Sequence, residues 1–340
     1  MVTSRGTASL TVTTPLWYDL AGKVTAAPER AARVEIAASE FDLRHARAAS
    51  AHAAALAYWS YLAATRQLDA LRTAEARAAR LVEETRALVR ADVRTEADVT
   101  RLVANLASKR ASRIGAEQAV DESWSALREV TGMPRAADGT AALPPPVTDF
   151  PEPALHDDLA QAAAEADTRR SDLAAARQRR DEMRLLRDAA AASERPRLDL
   201  VVGIGYTGAE QGGSAVHMIT PLGRASSGLN SSLQLRHVLP VFNQSARGLL
   251  MQSTAAYEQQ DLLVADLARR IEARVTAAIA GVQHAKETLV ASRESVELAE
   301  KALENEKQKS ALGASTLPDV LLAEDALTGA QLSDLSARHA

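Results

Sequence analysis

Residues 29–91 contain no proline, and within them Leu71, Ala74, Ala78, Leu81, Thr85 and Leu88 follow alternating spacings of three and four. That is the seam of a coiled coil, softened by small residues. Residues 246–312 repeat the character. There Val275, Val282, Leu289, Val296 and Leu303 stand seven apart, with Ala278, Ala285, Ser292 and Ala299 three places after the first four. At ~1.5 Å per residue each segment would run roughly 95–100 Å as helix, far beyond the usual globular helix. A chain holding two such rods has to fold by laying helix against helix. Aromatic residues are only 3% and alanine is frequent, which suits close side-by-side packing better than a broad globular core.

Both rods end in related turns, "RADVRTEADVTRLVANL" (90–106) and "ALGASTLPDVLLAEDAL" (311–327). Asp98-Val99 aligns with Asp319-Val320, an offset of 319 − 98 = 221, and Thr95 then meets Thr316. The two threonines are N-cap residues for the returning helices. Asp98 and Asp319 fall in the first turn, where negative charge suits the helix dipole. Gly313 supplies a left-handed turn residue, and Asp92 holds the same place in the first copy. Upstream, "TVTTPLWYDLAGK" (11–23) parallels "RHVLPVFNQSARG" (236–248), with Pro15 matching Pro240 at an offset of 240 − 15 = 225.

The chain is therefore an internal duplication. The first repeat is 1–134, with a strand at 9–14 and a helical hairpin at 28–132. A Pro- and Gly-rich linker, 135–154, leads to the second repeat, 155–340. That repeat holds a helix at 155–192, strands at 197–206 and 231–239, and a hairpin at 246–340. The expected fold class is mainly α with a small β part.

Three segments alternate with period two: "SLTVTT" (9–14), "RLDLVVGIGY" (197–206) and "SLQLRHVL" (232–239). In the second, Leu198, Leu200, Val202, Ile204 and Tyr206 share one face, while Asp199, Val201, Gly203 and Gly205 share the other. Lipid-facing barrel strands have this character, and so does a small soluble antiparallel sheet. Gly203-Ile-Gly205-Tyr-Thr-Gly208 also spells GxGxxG. A dinucleotide fingerprint needs the third glycine to open a helix, with an acid ~20 residues on. Here a Gly- and Ser-rich stretch with Pro221 follows, and "GRASSG" near residue 225 holds no acid. The motif is expected to be a strand running into a loop over 207–230.

The formal net charge of −4, with both signs mixed throughout, gives no basic footprint for nucleic acid. Without cysteine there are no disulfides or thiolate metal sites. The seven histidines (45, 52, 156, 217, 237, 284 and 339) form no ligand spacing, and no nucleophile–base arrangement can be argued. No catalytic residue, cofactor or metal is expected. No stretch reaches the ~20 apolar residues of a spanning helix, and "MVTSRGTASLTVTT" carries no visible export signal. Trp17, Tyr18 and Phe242 follow strands, a place that suits a lipid–water boundary or a strand–helix junction.

The order strand, Pro-Leu-Trp, long helix, Asp-Val turn, return helix, linker, and then the set again resembles the TolC-like outer-membrane efflux proteins. "AYWSYLAATRQLDAL" (57–71), "SALREVTGMP" (125–134), "RRSDLAAARQRRD" (169–181) and "LPVFNQSARG" (239–248) carry the likeness with the two turns. The resemblance implies a homotrimer whose strands close a transmembrane β-barrel in the cell outer membrane, continued by helices as a periplasmic tube. It implies the exit duct of a tripartite efflux or type I secretion system. The partners would be a periplasmic adaptor (membrane fusion protein), an inner-membrane pump and outer-membrane lipid. The turns would form the periplasmic tip, through Arg94, Thr95, Asp98, Val99, Gly313, Thr316, Asp319 and Val320. Asp319 matches the acid that narrows the pore, where a ring of like charges would raise its pKa. Leu322 stands where some members carry a second acid.

Against the family pattern the chain shows three strands where four are expected, and its last helix is short. The expectation is a fragment, a mis-assigned start or a degraded gene. Because unpaired backbone in lipid costs several kcal/mol per group, insertion is not assured. A periplasmic adaptor would show one hairpin rather than two. A soluble coiled-coil scaffold would leave the strands unexplained.

Overall fold

The rods are single helices. In the computed structural model, which describes residues 3–134, 146, 148–150, 161, 165, 166, 168–211 and 228–340, α1 spans Ala27–Arg90. Its return partner α2 spans Glu96–Thr131, and α3 spans Ser171–Ser193. The second rod, α4, covers Gln244–Ala311, and α5 covers Leu317–His339. The strands are β1 (Thr3–Pro15), β2 (Arg197–Gln211) and β3 (Gly228–Val238). Among the described residues no helix is long and apolar enough to cross a membrane.

Two compact units emerge, and neither is a sequence repeat. The first comprises 1–44 and 169–270, the second 45–168 and 271–340, so each draws on both copies. In the first unit β1, β2 and β3 form one antiparallel sheet in that order. Leu10 pairs with Ile204, Val12 with Val202, Val202 with Leu233, and Leu200 with Leu235. Directly opposed residues share a face, so these side chains make one apolar surface across all three strands. Leu10, Leu233 and Leu235 on it are 69%, 74% and 65% exposed. The reverse face carries Thr11, Thr13, Gly203, Gly205, Ser232 and Gln234. There a Cβ on Gly203 would lie 2.5 Å from the Ser232 hydroxyl, so this row stays small.

The strands outrun their expected limits. β1 starts at Thr3 rather than 9, β2 continues to Gln211 rather than 206, and β3 spans 228–238 rather than 231–239. "TSRGTA" has no alternation to reveal it as strand; its partners, Tyr206–Gln211, define it through the ladder. Gly203, Gly205 and Gly208 all lie inside β2, the reverse of a strand-to-helix phosphate turn. Most of the expected loop, 212–227, lies outside the described residues, as do the linker residues 135–145 and 151–154 and His156 and His217.

The helix expected over 155–192 is interrupted. Arg170 adopts an extended conformation (ψ 114°) as the N-cap of α3, and its guanidinium grips Asp172 at 2.7 and 3.0 Å. Residues 155–160 lie outside the description. Within this unit Arg179 bridges α3 to α1 by bonding both Glu35 and Asp42. Those two carboxylates hold its pKa above the ordinary arginine value. Burial, reinforced by the neighbouring Glu35 charge, pushes the Glu182 carboxyl up.

In the second unit α1 packs antiparallel to α2 through Tyr61, Leu68, Leu71, Ala116, Val120 and Leu127. The buried seam is Leu71, Ala74, Ala78, Val82 and Thr85, so Val82 replaces Leu81 and Leu88 is 41% exposed. From Leu71 to Val82 is 82 − 71 = 11 residues, three turns of a straight helix. A strict seven-residue repeat drifts from that period by ~20° per heptad. In α4 the lower seam is buried against α5, with Leu303, Val296 and Ala299 meeting Val320, Ala323 and Leu327. Higher up, Val282 is 41% exposed. Buried Ser292 donates to Asp334 of α5 at 3.1 Å, which gives that polar seam position a partner.

Candidate functional site

The two rod ends are built from the same parts. After α1, Asp92 N–H donates to Val89 O at 3.0 Å and Val93 N–H to Leu88 O at 2.9 Å. After α4, Gly313 N–H donates to Ser310 O at 3.1 Å and Ala314 N–H to Lys309 O at 2.9 Å. Each is a Schellman closure, which needs a left-handed residue at its pivot. The pivots are Asp92 (φ 57°) and Gly313 (φ 76°). All four positions correspond at the offset of 221.

Each return helix then opens on a capping box. The Asp98 carboxylate accepts the Thr95 N–H at 3.3 Å and hydroxyl at 3.0 Å. The Asp319 carboxylate accepts the Thr316 N–H at 3.0 Å and hydroxyl at 2.5 Å. These bonds to the Thr316 hydroxyl and amide hold the Asp319 pKa below the ordinary carboxylate value. Within one chain, then, the turn acts opposite to the rise expected from a ring of like charges.

The turns also pack on each other. Val82 of α1, Leu102 of α2 and Leu317 and Leu321 of α5 form one buried cluster, flanked by Leu81 and Leu106. The expected tip residues are thereby gathered at one end of the second unit. Val320 is buried 3% exposed beneath the second turn, while Asp319 is exposed and Asp98 and Val99 are half-buried. Arg94 and Arg101 make no ion pair with Asp98, whose carboxylate is committed to Thr95. Leu322 is 72% exposed at the place of the second acid.

Sequence reasoning missed what ties the second turn to its own rod. The Ser315 hydroxyl bonds the Glu306 carboxylate, which also pairs with Lys309 at 3.2 Å. Those two contacts, Ser315 first, hold Glu306 below its ordinary pKa. It missed, too, the links between the hairpins: Lys109 to Asp325 at 2.5 Å and Arg77 to Thr328 at 3.2 Å. Inside the second hairpin, Lys307 reaches the buried Glu324 at 3.4 Å. The available signal was Glu324 in the run "VLLAEDAL" (320–327), a carboxylate among leucines and alanines that needs a partner wherever it is buried.

At the sheet, Trp17 is 55% and Phe242 84% exposed, beside exposed Leu16, Leu239 and Val241. Pro15 pairs with Asp199 and Val238 with Arg197, so both aromatic segments leave the sheet at the same end. Tyr18 is half-buried. Next to it Asp19 caps the entry to α1, accepting Val24 N–H at 2.7 Å and Thr25 N–H at 3.0 Å. Burial works against ionisation of Asp19, but the Thr25 and Val24 bonds and the nearby Arg197 charge outweigh it and lower its pKa.

Known proteins share the overall fold. The outer membrane protein VceC of Vibrio cholerae superimposes with a TM-score of 0.77 at 19% identity, over 99% of this chain and 84% of VceC. A membrane protein of Pseudomonas aeruginosa gives 0.76 at 20% identity, over 99% and 80%. The CmeC outer membrane channel of Campylobacter jejuni gives 0.77 at 13% identity, over 99% and 75%. No curated protein matches in sequence. The family pattern described as "Outer membrane efflux protein" matches residues 162–340, more than half of the chain. With its paired rods, matching turns and two-faced sheet, the chain belongs to the outer membrane efflux protein family.

Proposed function

We propose that the chain works as a homotrimer, an exit duct that carries no catalytic step of its own. In this reading β1–β3 are its share of the barrel, and the α1–α2 and α4–α5 turns are the periplasmic end that a membrane fusion protein and its inner-membrane pump engage. Repeats 1–134 and 155–340 are the products of a duplication, with 135–154 as their linker. The observation that carries the reading is the sheet: one apolar face, continuous over three strands and left exposed, backed by one small and polar face. That is what a lipid-facing and lumen-facing wall requires. Trp17, Tyr18 and Phe242 mark its boundary with water.

At the tip, threefold symmetry would bring three Asp319 side chains around one axis. Arg94, Thr95, Asp98, Val99, Gly313, Thr316 and Val320 shape the surface around them. The test is single-channel recording of the full chain in planar bilayers. Expected are stable conductance, weaker block by multivalent cations from the periplasmic side in Asp319→Ala, and raised basal conductance in Asp98→Ala. Conductance with neither substitution changing it would reduce the acids to helix caps. Absence of any conductance or trimer would remove the duct reading itself.

A further inference from the structure

The charges of the sheet are sorted to one side. Over β2 from Arg197 to Gly205 and the residues paired with it, the small polar face holds Arg197, Asp199 and Arg236, set among Thr13, Gln234 and Ser232. The apolar face of the same stretch carries His237 but no lysine, arginine or carboxylate. Leu235 and His237, on either side of Arg236, pair with Leu200 and Leu198. A slip of one residue would exchange the faces, so that pairing fixes the side on which Arg236 stands.

Asp199 lies directly across the ladder from Arg236. Its carboxylate nevertheless goes to Arg197, which donates its Nε–H at 2.6 Å, and Asp199 is only 1% exposed. Arg236 is exposed and makes no side-chain hydrogen bond or ion pair among the described residues. Whichever arginine takes the carboxylate, two positive charges meet one negative. This stretch of the face therefore keeps one unanswered cation per chain.

We propose that Arg236 is the charge-selecting residue of the strand section. Three copies around the trimer axis ring the lumen at one height, and they favour the passage of anions over cations. Arginine rings select anions in this way, and lumen-facing positions are where substitution tunes the selectivity of a barrel. One rung away, the Thr13 hydroxyl and the Gln234 amide offer an anion further donors. The inference rests on the lumenal placement of the polar face described under Proposed function.

The test is the reversal potential of the full chain in planar bilayers across a potassium chloride gradient. It is recorded near 0.01 M, where the Debye length is ~30 Å and the charges act across the lumen. Arg236→Gln should move the reversal potential toward cation preference. Arg236→Glu should move it about twice as far, since the charge changes by two rather than one. Arg236→Lys should leave it in place. Gln234→Glu adds an acid to the same face and should match the shift of Arg236→Gln while keeping the arginine. These shifts should fade near 1 M salt, where the Debye length is ~3 Å. Each is read between variants, so the tip acid Asp319 enters all of them alike.

The chain has no cysteine, so one introduced thiol reports alone. Arg236→Cys should regain the parental selectivity on reaction with a trimethylammonium methanethiosulfonate and lose more of it with a sulfonate reagent. Leu235→Cys, on the apolar face, should respond to neither. Unchanged reversal potentials in the Gln and Glu variants would reduce Arg236 to a charge guarding the edge of β3 and overturn the proposal. A response of Leu235→Cys equal to that of Arg236→Cys would place both faces in water and overturn it as well. Conductance with unaltered selectivity sinks this inference alone; a parent chain that does not conduct sinks the duct reading and this inference with it.

Discussion

The turn after α1 and the turn after α4 share a backbone and differ in chemistry. Both close through the same pair of amide bonds and open the next helix with a Thr–Asp capping box. At the pivot, however, the first has Asp92 and the second Gly313. Where the second has Ser315 tied to Glu306 and Glu306 tied to Lys309, the first has Arg94, Thr85 and Leu88 at the corresponding places. Both turns keep what the backbone needs, namely a left-handed residue and a cap. They differ in the side chains that do not close the turn. The second turn is stitched to its own rod; the first is held by its cap and by the cluster it shares with its twin.

The largest effect expected concerns that shared cluster. Leu102 is 1% exposed and Leu321 8% exposed, one from each repeat. Truncating a buried leucine costs about 2–5 kcal/mol through lost transfer energy and the residual cavity. Leu102→Ala should fall in the upper part of that range and Leu321→Ala in the lower, measured by denaturant unfolding. Hydrogen exchange is the sharper readout. If the turns are one packed body, Leu102→Ala speeds exchange at 311–320 as well as at 90–99. Faster exchange confined to 90–99 would break the pairing of the turns.

How far this site was legible in the sequence follows from the same comparison. The offset of 221 could be read because Thr, Asp and Val were kept where the cap needs them, and the amide bonds obey it residue for residue. The rods and the two faces of the sheet were legible because their periods are geometric. The extent of β1 was not, because "TSRGTA" owes its strand conformation to a partner some two hundred residues away. The tie between Ser315 and Glu306 was not legible either, since it crosses the turn and requires the fold first. Nor was the choice of Val82 over Leu81, which depends on how a straight helix drifts from its heptads.

Intermediate effects test the pivots and caps. Gly313→Ala forces a side chain into the left-handed region, at a cost of about 1–2 kcal/mol. Nothing lies within 4 Å of the added Cβ, so the penalty is conformational and not steric. Asp92→Gly relieves the same strain in the first turn and should stabilise it, by about 0.5 kcal/mol, since aspartate tolerates this region better than most residues. Thr95→Ala and Thr316→Ala should each cost about 1 kcal/mol, the usual value of an N-cap. Thermal unfolding of the four variants measures all of them. A Gly313→Ala variant as stable as the parent would mean that the second turn is not held in the observed closure.

The smallest effect separates the caps electrostatically. Asp319 has its pKa lowered in the fold by the Thr316 hydroxyl and amide, with a smaller contribution from Ser315. A carboxylate lowered on folding binds its proton more readily when unfolded, near the ordinary value of ~3.9. Its contribution is therefore complete above that pH and is lost as pH falls through the lower, folded value. Asp319→Asn removes the charge, so the stability gap between parent and variant should be constant at neutral pH and close on acidification below the ordinary aspartate range. A gap that does not change with pH would show that the carboxylate acts only through its shape. Ser315→Ala should narrow the neutral gap slightly, because it removes a contact favouring the ion. Measuring the same gap for Asp98→Asn then places the first turn on the same scale. A trimer moves the prediction in a known direction: three Asp319 carboxylates around an axis repel, so closure of the gap should begin at higher pH in the assembled channel than in the dissociated chain. Identical pH profiles for the two would mean that the acids stand too far apart to form a ring, whatever else the tip does.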